Sequence, residues 1–245
     1  MLAVHNRTLV VMPAFNESSV IETVIDEVRD ALPEISLLVV DDGSTDDTAA
    51  RARAAGALVL QLPFNLGVGG AMRAGYKFAT QNGFTNVVQV DADGQHNPAD
   101  VLELIEKLDG ADIVIGARFA GRGAYSVSGP RRWAMVALAW TITKLAKTDL
   151  TDTTSGFRAT GPRATRLFAE HFPAEYLGDT IESLVLASRA GYVIRQVPVE
   201  MRQRAGGTPS NNSLQSAVYL GRAIIALTMS LIRPRLQSSH TERSL

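Results

Sequence analysis

The residues best suited to chemistry are two carboxylates one residue apart, Asp91 and Asp93, which follow the apolar run 87–90. In a loop at the end of a strand, alternate side chains can turn toward one ligand. Two hard carboxylates suit Mg²⁺ or Mn²⁺, because these ions retain water and share phosphate oxygens. Gln95 adds a neutral oxygen at the next alternate position. An acidic loop that caps the next helix would look the same, so the spacing predicts a metal site without excluding that simpler role.

A second acidic pair, Asp41 and Asp42, follows the apolar run 37–40. Carboxylates at such a position can accept hydrogen bonds from a nucleobase N–H and from ribose hydroxyls. A turn with a helix cap is the alternative, since Ser44 and Asp46 are good capping residues. Both interpretations can hold together, because capping uses the later residues and leaves the paired aspartates available.

The second half of the chain carries a group of arginines, Arg131, Arg132, Arg158, Arg202 and Arg204. The planar guanidinium group donates paired hydrogen bonds that match phosphate oxygens. Any one of them could equally belong to a solvated charged surface. Their concentration in this half makes them candidates for binding phosphate groups.

The elements that must position these residues alternate regularly in the first half of the chain. Apolar runs typical of buried strands are separated by helical segments, and the runs lie at residues 9–12, 37–40, 58–60, 87–90 and 113–115. This alternation predicts an α/β fold: a Rossmann-like, mostly parallel sheet with helices on both faces. Ligands bind beyond the carboxyl ends of such strands. Asn16 and Glu17 follow the first run, which is predicted to end at Pro13, and therefore share this edge with the two acidic pairs.

The rest of the chain is less regular. Residues 152–158 form a predicted polar loop, 181–189 a helix and 192–199 a strand that ends near Pro198. The glycine-rich turn at Gly67 and Gly69 resembles a dinucleotide-binding turn, but the position of its third glycine is Met72. A dehydrogenase is therefore not predicted.

Composition limits the classes of function. The 245 residues carry a formal net charge of −1, so no overall basic field indicates a nucleic-acid partner. The absence of cysteine excludes disulfides, thiolate metal sites and cysteine nucleophiles, and it fits a reducing compartment. Residues 1–8 lack the apolar core of a signal peptide. A cytoplasmic protein is the expectation.

The C-terminal part suggests contact with a membrane surface. Residues 214–232 approach the roughly 20 residues that span a bilayer, but Arg222 near the middle would cost about 2.5–3.5 kcal/mol at the bilayer centre. A helix packed in the core is the alternative. We expect a catalytic domain at 1–212, a C-terminal apolar helix with a polar tail at 213–245, and a peripheral position on the inner face of the cytoplasmic membrane. Trp133 and Trp140 of another apolar helix could lie at the same interface.

Taken in order, these motifs resemble glycosyltransferase family 2, with its GT-A fold, and within it the dolichol-phosphate mannosyltransferase-like branch. The resemblance is carried by residues 12–17, 39–46, 65–67, 91–96, 116–118 and 152–158, and by Arg204 with Gly207. It implies an inverting glycosyltransferase that uses Mg²⁺ or Mn²⁺. The donor would be GDP-mannose or a UDP-sugar, and the acceptor a polyprenyl phosphate. Members of this branch often carry a Ser-Lys or Ser-Ser pair after the last glycine. This chain has Thr208 and Pro209 there and departs from that pattern.

The resemblance also implies roles for individual residues. Contacts with the nucleotide sugar are expected from Pro13, Asn16, Glu17, Asp41, Asp42, Asp91 and Arg204. The metal ligands would be Asp93 and Gln95, with Asp91. Catalysis would involve Asp93, Arg118, Arg131 and Glu182, and the acceptor phosphate would be bound by Arg131, Arg132, Arg158 and Arg202.

The nature of the acceptor decides whether a base is needed. A sugar hydroxyl requires a carboxylate base, whereas a lipid phosphate is already ionised at neutral pH. The Glu-Asp pair that many hydroxyl-glycosylating relatives use is absent, and Asp179 and Glu182 are the nearest carboxylates. This absence and the supply of arginines favour a phosphate acceptor. The alternatives are transfer to a hydroxyl, with Glu182 or Asp179 as base, and a non-catalytic protein that binds nucleotide sugars.

Overall fold

The computed structural model describes residues 7–118, 143, 150–173 and 179–202. Within them, seven strands form one sheet in the order β3-β2-β1-β4-β6-β5-β7. The predictions for Arg131, Arg132 and Arg204, for the tryptophan helix and for residues 213–245 lie outside the described residues. The strands are β1 (Thr8–Ala14), β2 (Ser36–Asp41), β3 (Leu58–Gln61), β4 (Asn86–Gln89), β5 (Ile113–Ala117), β6 (Arg158–Thr160) and β7 (Ile194–Pro198).

The mostly parallel sheet predicted from the alternation is confirmed. Every strand pair is parallel except those made by β6, which lies antiparallel between β4 and β5. The sequence did not predict β6, because its three residues directly follow a polar loop. β6 separates β4 from β5 in the sheet and brings residues 154–158 next to the carboxyl end of β4.

Helices cover both faces of the sheet, as predicted. They are α1 (Ile21–Ala31), α2 (Thr48–Ala54), α3 (Gly67–Gln81), α4 (Asp100–Glu106), α5 (Pro162–His171) and α6 (Asp179–Arg189). Buried residues of α3, α5 and α6 pack with Leu9 and Val11 of β1, whereas those of α1 and α4 pack with Val10 and Met12. Successive side chains of a strand point to opposite faces, so the apolar run of β1 serves two cores. None of the described helices is long and apolar enough to cross a membrane.

The first strand continues past the proline that was predicted to end it. β1 pairs with β2 as far as Ala14, but its pairing with β4 ends at Val11, opposite Gln89. The carbonyl of Val11 accepts a hydrogen bond from Val90, and Pro13, two residues later, faces the same side of the strand. The missing N–H of Pro13 therefore costs no ladder hydrogen bond, because β4 has already ended. The strand thus extends to the edge where ligands bind.

Candidate active site

A cavity of about 350 Å³ opens at the carboxyl ends of β1, β2 and β4, against the first turns of α3 and α6. It has the size and position expected of a ligand site in a parallel α/β sheet. Five carboxylate side chains lie in its lining, and among the described residues no lysine or arginine does. These carboxylates are Glu17, Asp42, Asp91, Asp93 and Asp179. The lining of the cavity therefore favours the binding of cations and hydrogen-bond donors.

Glu17 and Pro13, which are predicted to contact the nucleotide sugar, belong to the lining, whereas Asn16 does not. Asn16 has a left-handed backbone conformation, with φ of 56°, which asparagine tolerates better than most residues. Its Oδ1 accepts the backbone N–H of Thr45 at 2.9 Å, and its own N–H donates to Oγ of Ser44 at 2.9 Å. Asn16 thus joins the loops that follow β1 and β2, and its predicted contact with the nucleotide stays a prediction.

The adjacent aspartates at the end of β2 have different surroundings. Asp41 is 1% exposed and lies outside the lining; its carboxylate accepts hydrogen bonds from the Ser44 N–H at 3.2 Å and from Nε2 of Gln61 at 3.3 Å. Asp42 is part of the lining and accepts the N–H of Leu66 at 2.7 Å. Burial raises the pKa of Asp42, although this backbone hydrogen bond lowers it in part. Asp42 therefore presents a carboxylate to the cavity, while Asp41 stabilises the turn behind it.

Asp91 and Asp93 both line the cavity. Asp93 is 7% exposed and accepts the backbone N–H of Gln95 at 3.0 Å, while Asp91 accepts Nε2 of Gln89 at 3.0 Å. Their hard oxygens fit Mg²⁺ or Mn²⁺. Within the described parts of the chain no three His, Cys, Asp or Glu side chains form a complete cation site. The remaining ligands would be phosphate oxygens and water, as these ions prefer.

Gln95, the third predicted ligand, is partly buried and is not in the cavity lining. Its backbone carbonyl accepts the N–H of Arg202 at 3.0 Å, so the loop is tied to the segment that follows β7. Coordination of an ion by the Gln95 side chain stays a prediction.

Arg118, which is predicted to take part in catalysis, pairs with Asp152 in this structure, and its catalytic role stays a prediction. Its Nε and Nη2 donate to the two carboxylate oxygens at 2.7 and 2.9 Å, its backbone N–H adds a third hydrogen bond, and Nη2 also reaches Oγ1 of Thr154. Asp152 is 1% exposed. Burial opposes its ionisation, but the hydrogen bonds and charge of Arg118 outweigh this and lower the pKa of Asp152. The guanidinium group is thus bound within the protein, where it joins the residue that follows β5 to the loop that contains Asp152.

Arg158 and Arg202, predicted to bind the acceptor phosphate, also lie outside the lining. Arg158 is 1% exposed and donates to Oγ of Ser183 and to the carbonyl of Ser155, at 2.8 and 2.7 Å. Arg202 lies at the surface, where it donates to Glu27 at 2.7 Å and to Asn97 at 2.9 Å. The prediction failed to anticipate these partners, because only the fold brings them within reach.

The first turn of α6 contributes Asp179, which is 8% exposed and lines the cavity, whereas Glu182, one turn further, does not. Burial raises the pKa of Asp179, and the positive charge of Arg158 lowers it in part. Of the two carboxylates named from the sequence, Asp179 is thus the one that lines the cavity, and a role for either as a base stays a prediction. Sequence reasoning also missed Gln89 and Gly156 in the lining; a glutamine within the otherwise apolar run 87–90 was the available signal.

Comparison with known proteins identifies the family. The Glycosyl transferase family 2 domain matches residues 9–171. The chain is 32% identical over 232 residues to the undecaprenyl-phosphate mannosyltransferase of Micrococcus luteus. This alignment covers 91% of this chain and 93% of that protein. It is 34% identical over 161 residues to the polyprenol monophosphomannose synthase of Mycolicibacterium smegmatis, covering 62% and 61% of the two chains.

The solved structures extend the comparison to the fold. Glucosyl-3-phosphoglycerate synthase from Mycobacterium tuberculosis, in complex with Mn²⁺, uridine diphosphate and phosphoglyceric acid, matches with a TM-score of 0.72 at 26% identity, covering 93% of this chain and 79% of that one. The same enzyme has also been solved with Mg²⁺ and uridine diphosphate, and that structure matches with a TM-score of 0.69 at 26% identity, covering 93% and 80% of the two chains. The chain therefore belongs to glycosyltransferase family 2 and is a glycosyltransferase with the GT-A fold.

Proposed function

We propose that this enzyme transfers a sugar from a nucleotide-diphosphate sugar to a polyprenyl phosphate and uses Mg²⁺ or Mn²⁺. The observation that carries the proposal is the 32% identity to the undecaprenyl-phosphate mannosyltransferase, which extends over 91% of this chain and 93% of that protein. The similarity extends along nearly the whole of both chains. GDP-mannose is the first donor to test, with UDP-sugars as the alternative.

The acidic lining supports a metal-assisted displacement. Departure of the sugar leaves a nucleoside diphosphate with added negative charge. Asp91 and Asp93, with Gln95 as a further oxygen donor, are the residues that would hold the ion, which when bound neutralises that charge. Glu17 and Asp42 lie at the ends of β1 and β2, where their carboxylates can accept hydrogen bonds from the nucleoside.

The acceptor phosphate needs cations that the described lining does not supply. Arg118, Arg158 and Arg202 are held by protein groups. We therefore assign the acceptor phosphate to Arg131 and Arg132, and the donor diphosphate to Arg204, as the family resemblance implies. An ionised phosphate acceptor would need no base.

Asp179 gives a specific reason to keep a second candidate, transfer to a hydroxyl group. This carboxylate lies in the cavity, and burial raises its pKa above the ordinary value, which is the direction that makes a carboxylate a stronger base. Glu182, on the same helix but outside the lining, is the matched control.

The deciding experiment offers the purified enzyme GDP-mannose or UDP-sugars with Mn²⁺, with and without a polyprenyl phosphate, and identifies products by mass. We expect a glycosylated polyprenyl phosphate from one donor. Products formed only with hydroxyl acceptors would contradict the proposal, and binding of donor without any turnover would indicate a non-catalytic protein.

Asp179→Asn then separates the two reactions. With a phosphate acceptor the variant should keep at least a tenth of wild-type kcat. With a hydroxyl acceptor it should lose about 10²–10⁴-fold, the usual contribution of a general base. Glu182→Gln should stay near wild type in both cases. A loss confined to Glu182→Gln would contradict the assignment of Asp179 as the better-placed carboxylate.

The polyprenyl acceptor also implies where the enzyme works. We propose a peripheral protein on the inner face of the cytoplasmic membrane, with residues 213–245 following the catalytic domain and contacting lipid. Carbonate washing should release the protein, and anionic liposomes should bind it again. Extraction by detergent alone would contradict a peripheral attachment.

A further inference from the structure

His96 is an enclosed polar side chain beside the cavity. It is 4% exposed, and its ring stacks on that of Phe157, with ring centroids 4.6 Å apart and planes 17° from parallel. Phe157 is itself fully buried and precedes β6. The ring of His96 is therefore held in one orientation, and its two nitrogens face fixed neighbours.

Both ring nitrogens of His96 face one residue, Asp91. Nδ1 accepts the backbone N–H of Asp91 at 3.0 Å, so the proton of the neutral ring is on Nε2. Nε2 lies 3.7 Å from Oδ2 of the same aspartate, which is longer than a hydrogen bond but close enough for attraction. The other carboxylate oxygen, Oδ1, accepts Nε2 of Gln89 at 3.0 Å. Asp91 is thus held by hydrogen bonds at its backbone N–H and at Oδ1, and His96 adds a longer electrostatic contact at Oδ2.

The position of Asp91 in a loop explains why its side chain needs these partners. Asp91 is the first residue after the apolar run of β4 and its side chain is 38% exposed, so packing alone does not fix its direction. Two carboxylates can serve one ion only if both are held near the productive geometry, and outer partners of ligating groups provide this.

We infer that His96 is a positioning residue, which orients Asp91 so that this carboxylate and Asp93 can act on the same metal–nucleotide complex. The inference rests on the proposed donor site and is independent of the acceptor. Loss of such an outer partner typically weakens metal affinity or activity about 10–100-fold.

Two substitutions separate positioning from packing. His96→Phe keeps a ring that can stack on Phe157 but cannot accept the Asp91 N–H. His96→Asn loses the ring but places an oxygen near the position of Nδ1. Binding of Mn²⁺ with GDP or UDP is measured by calorimetry without acceptor, and folding by thermal denaturation. His171→Gln is the control, because this histidine lies at the end of α5 with its side chain 44% exposed.

Positioning predicts that His96→Phe binds Mn²⁺ about 10–100-fold more weakly than wild type and that His96→Asn binds it more tightly than His96→Phe. His171→Gln should bind like wild type. Wild-type affinity in His96→Phe, or weaker binding by His96→Asn than by His96→Phe, would overturn the inference in favour of packing. If His96→Phe does not fold, His96→Asn is compared with His96→Ala, and equal affinities would overturn it. A wild type that binds neither nucleotide with Mn²⁺ would refute the proposed donor site itself.

Discussion

The cavity and the arginines beside it differ in how their charges are used. Five carboxylates line the cavity, from Glu17 on the first strand-end loop to Asp179 on α6. Arg118 and Arg158, by contrast, lie outside the lining and donate their hydrogen bonds to protein groups. The carboxylates of the lining therefore face the space where a ligand would bind. The guanidinium groups of the two arginines instead donate hydrogen bonds to neighbouring loops and helices of the protein.

The two arginines also differ from each other. Arg118 has a carboxylate partner with two matched oxygens, Asp152. Arg158 instead donates to a hydroxyl and a carbonyl, those of Ser183 and Ser155, and its Nε has no hydrogen-bond partner among the described residues. Burial lowers the pKa of Arg158, and more distant acidic groups such as Asp179 oppose this. Arg158 is thus a buried cation behind an acidic cavity, and its charge acts on the cavity from a distance.

The largest effect should come from the cavity. Asp93→Ala removes a carboxylate aimed at the ligand, and turnover should fall by at least about 10²–10³-fold, the cost of losing one key electrostatic contact in a transition state. EDTA should reproduce the loss in the wild type. Steady-state kinetics checks both, with Asp26→Ala on the exposed face of α1 as control. Full activity in Asp93→Ala or under EDTA would refute the metal site.

On the arginine side, Asp152→Ala should mainly affect stability. It removes the carboxylate partner of Arg118, and breaking a buried pair costs about 3–5 kcal/mol. The Arg118 side chain is 18% exposed, so we expect the lower end of this range. Urea denaturation measures the change, and Glu22→Ala, which breaks an exposed pair with Arg51, should cost less than about 1 kcal/mol. Equal losses in the two variants would show that the pair does not stabilise the fold.

The same pair predicts a dependence on pH. The pKa of Asp152 is lower in the folded protein than its ordinary value of 3.8. Its contribution is therefore fully present above about pH 4 and is lost as the pH falls through the folded pKa. Asp152→Asn should make the free energy of unfolding less sensitive to pH below pH 4, and an unchanged slope would contradict this.

A smaller effect is expected where the two regions meet, at Gly156. A Cβ atom there would lie 2.9 Å from Nε2 of Gln89 and 3.3 Å from Oδ2 of Asp91, so both side chains would have to move. Gly156→Ala should raise the Mn²⁺ concentration for half-maximal activity several-fold and cost about 1–3 kcal/mol of stability. Gly161→Ala is the control, since its nearest neighbour would lie at 3.6 Å. Wild-type metal dependence in Gly156→Ala would show that this space is not needed.

The smallest effect should follow from Arg202→Ala. Its side chain is 45% exposed and pairs with Glu27 at the surface, and such pairs contribute about 0–1 kcal/mol. Its backbone N–H, which contacts Gln95, is unchanged by the substitution. The KM for the acceptor should stay within about twofold. A large rise in that KM would restore the phosphate-binding role predicted from the sequence.

The sequence by itself determined the parallel strands of the sheet and the edge where the site lies. Each apolar run followed by polar residues marks a strand and its carboxyl end, and parallel strands bring these ends together whatever the details of packing. Asp42, Asp91 and Asp93 could therefore be placed at one cavity from chain order and side-chain chemistry alone, and the family resemblance from 12–17 to 152–158 agreed with that placement.

Only the tertiary structure decided which of two similar residues faces the ligand and which partner each charge takes. Asp41 and Asp42 are adjacent, yet one stabilises a turn and the other lines the cavity. Arg118 meets a carboxylate 34 residues further along the chain, and the short strand β6 pairs with β4, with paired residues 69 to 73 positions apart. Local sequence patterns encode periodicity and turn preference, but side-chain direction and pairing depend on contacts that exist only after distant segments have packed.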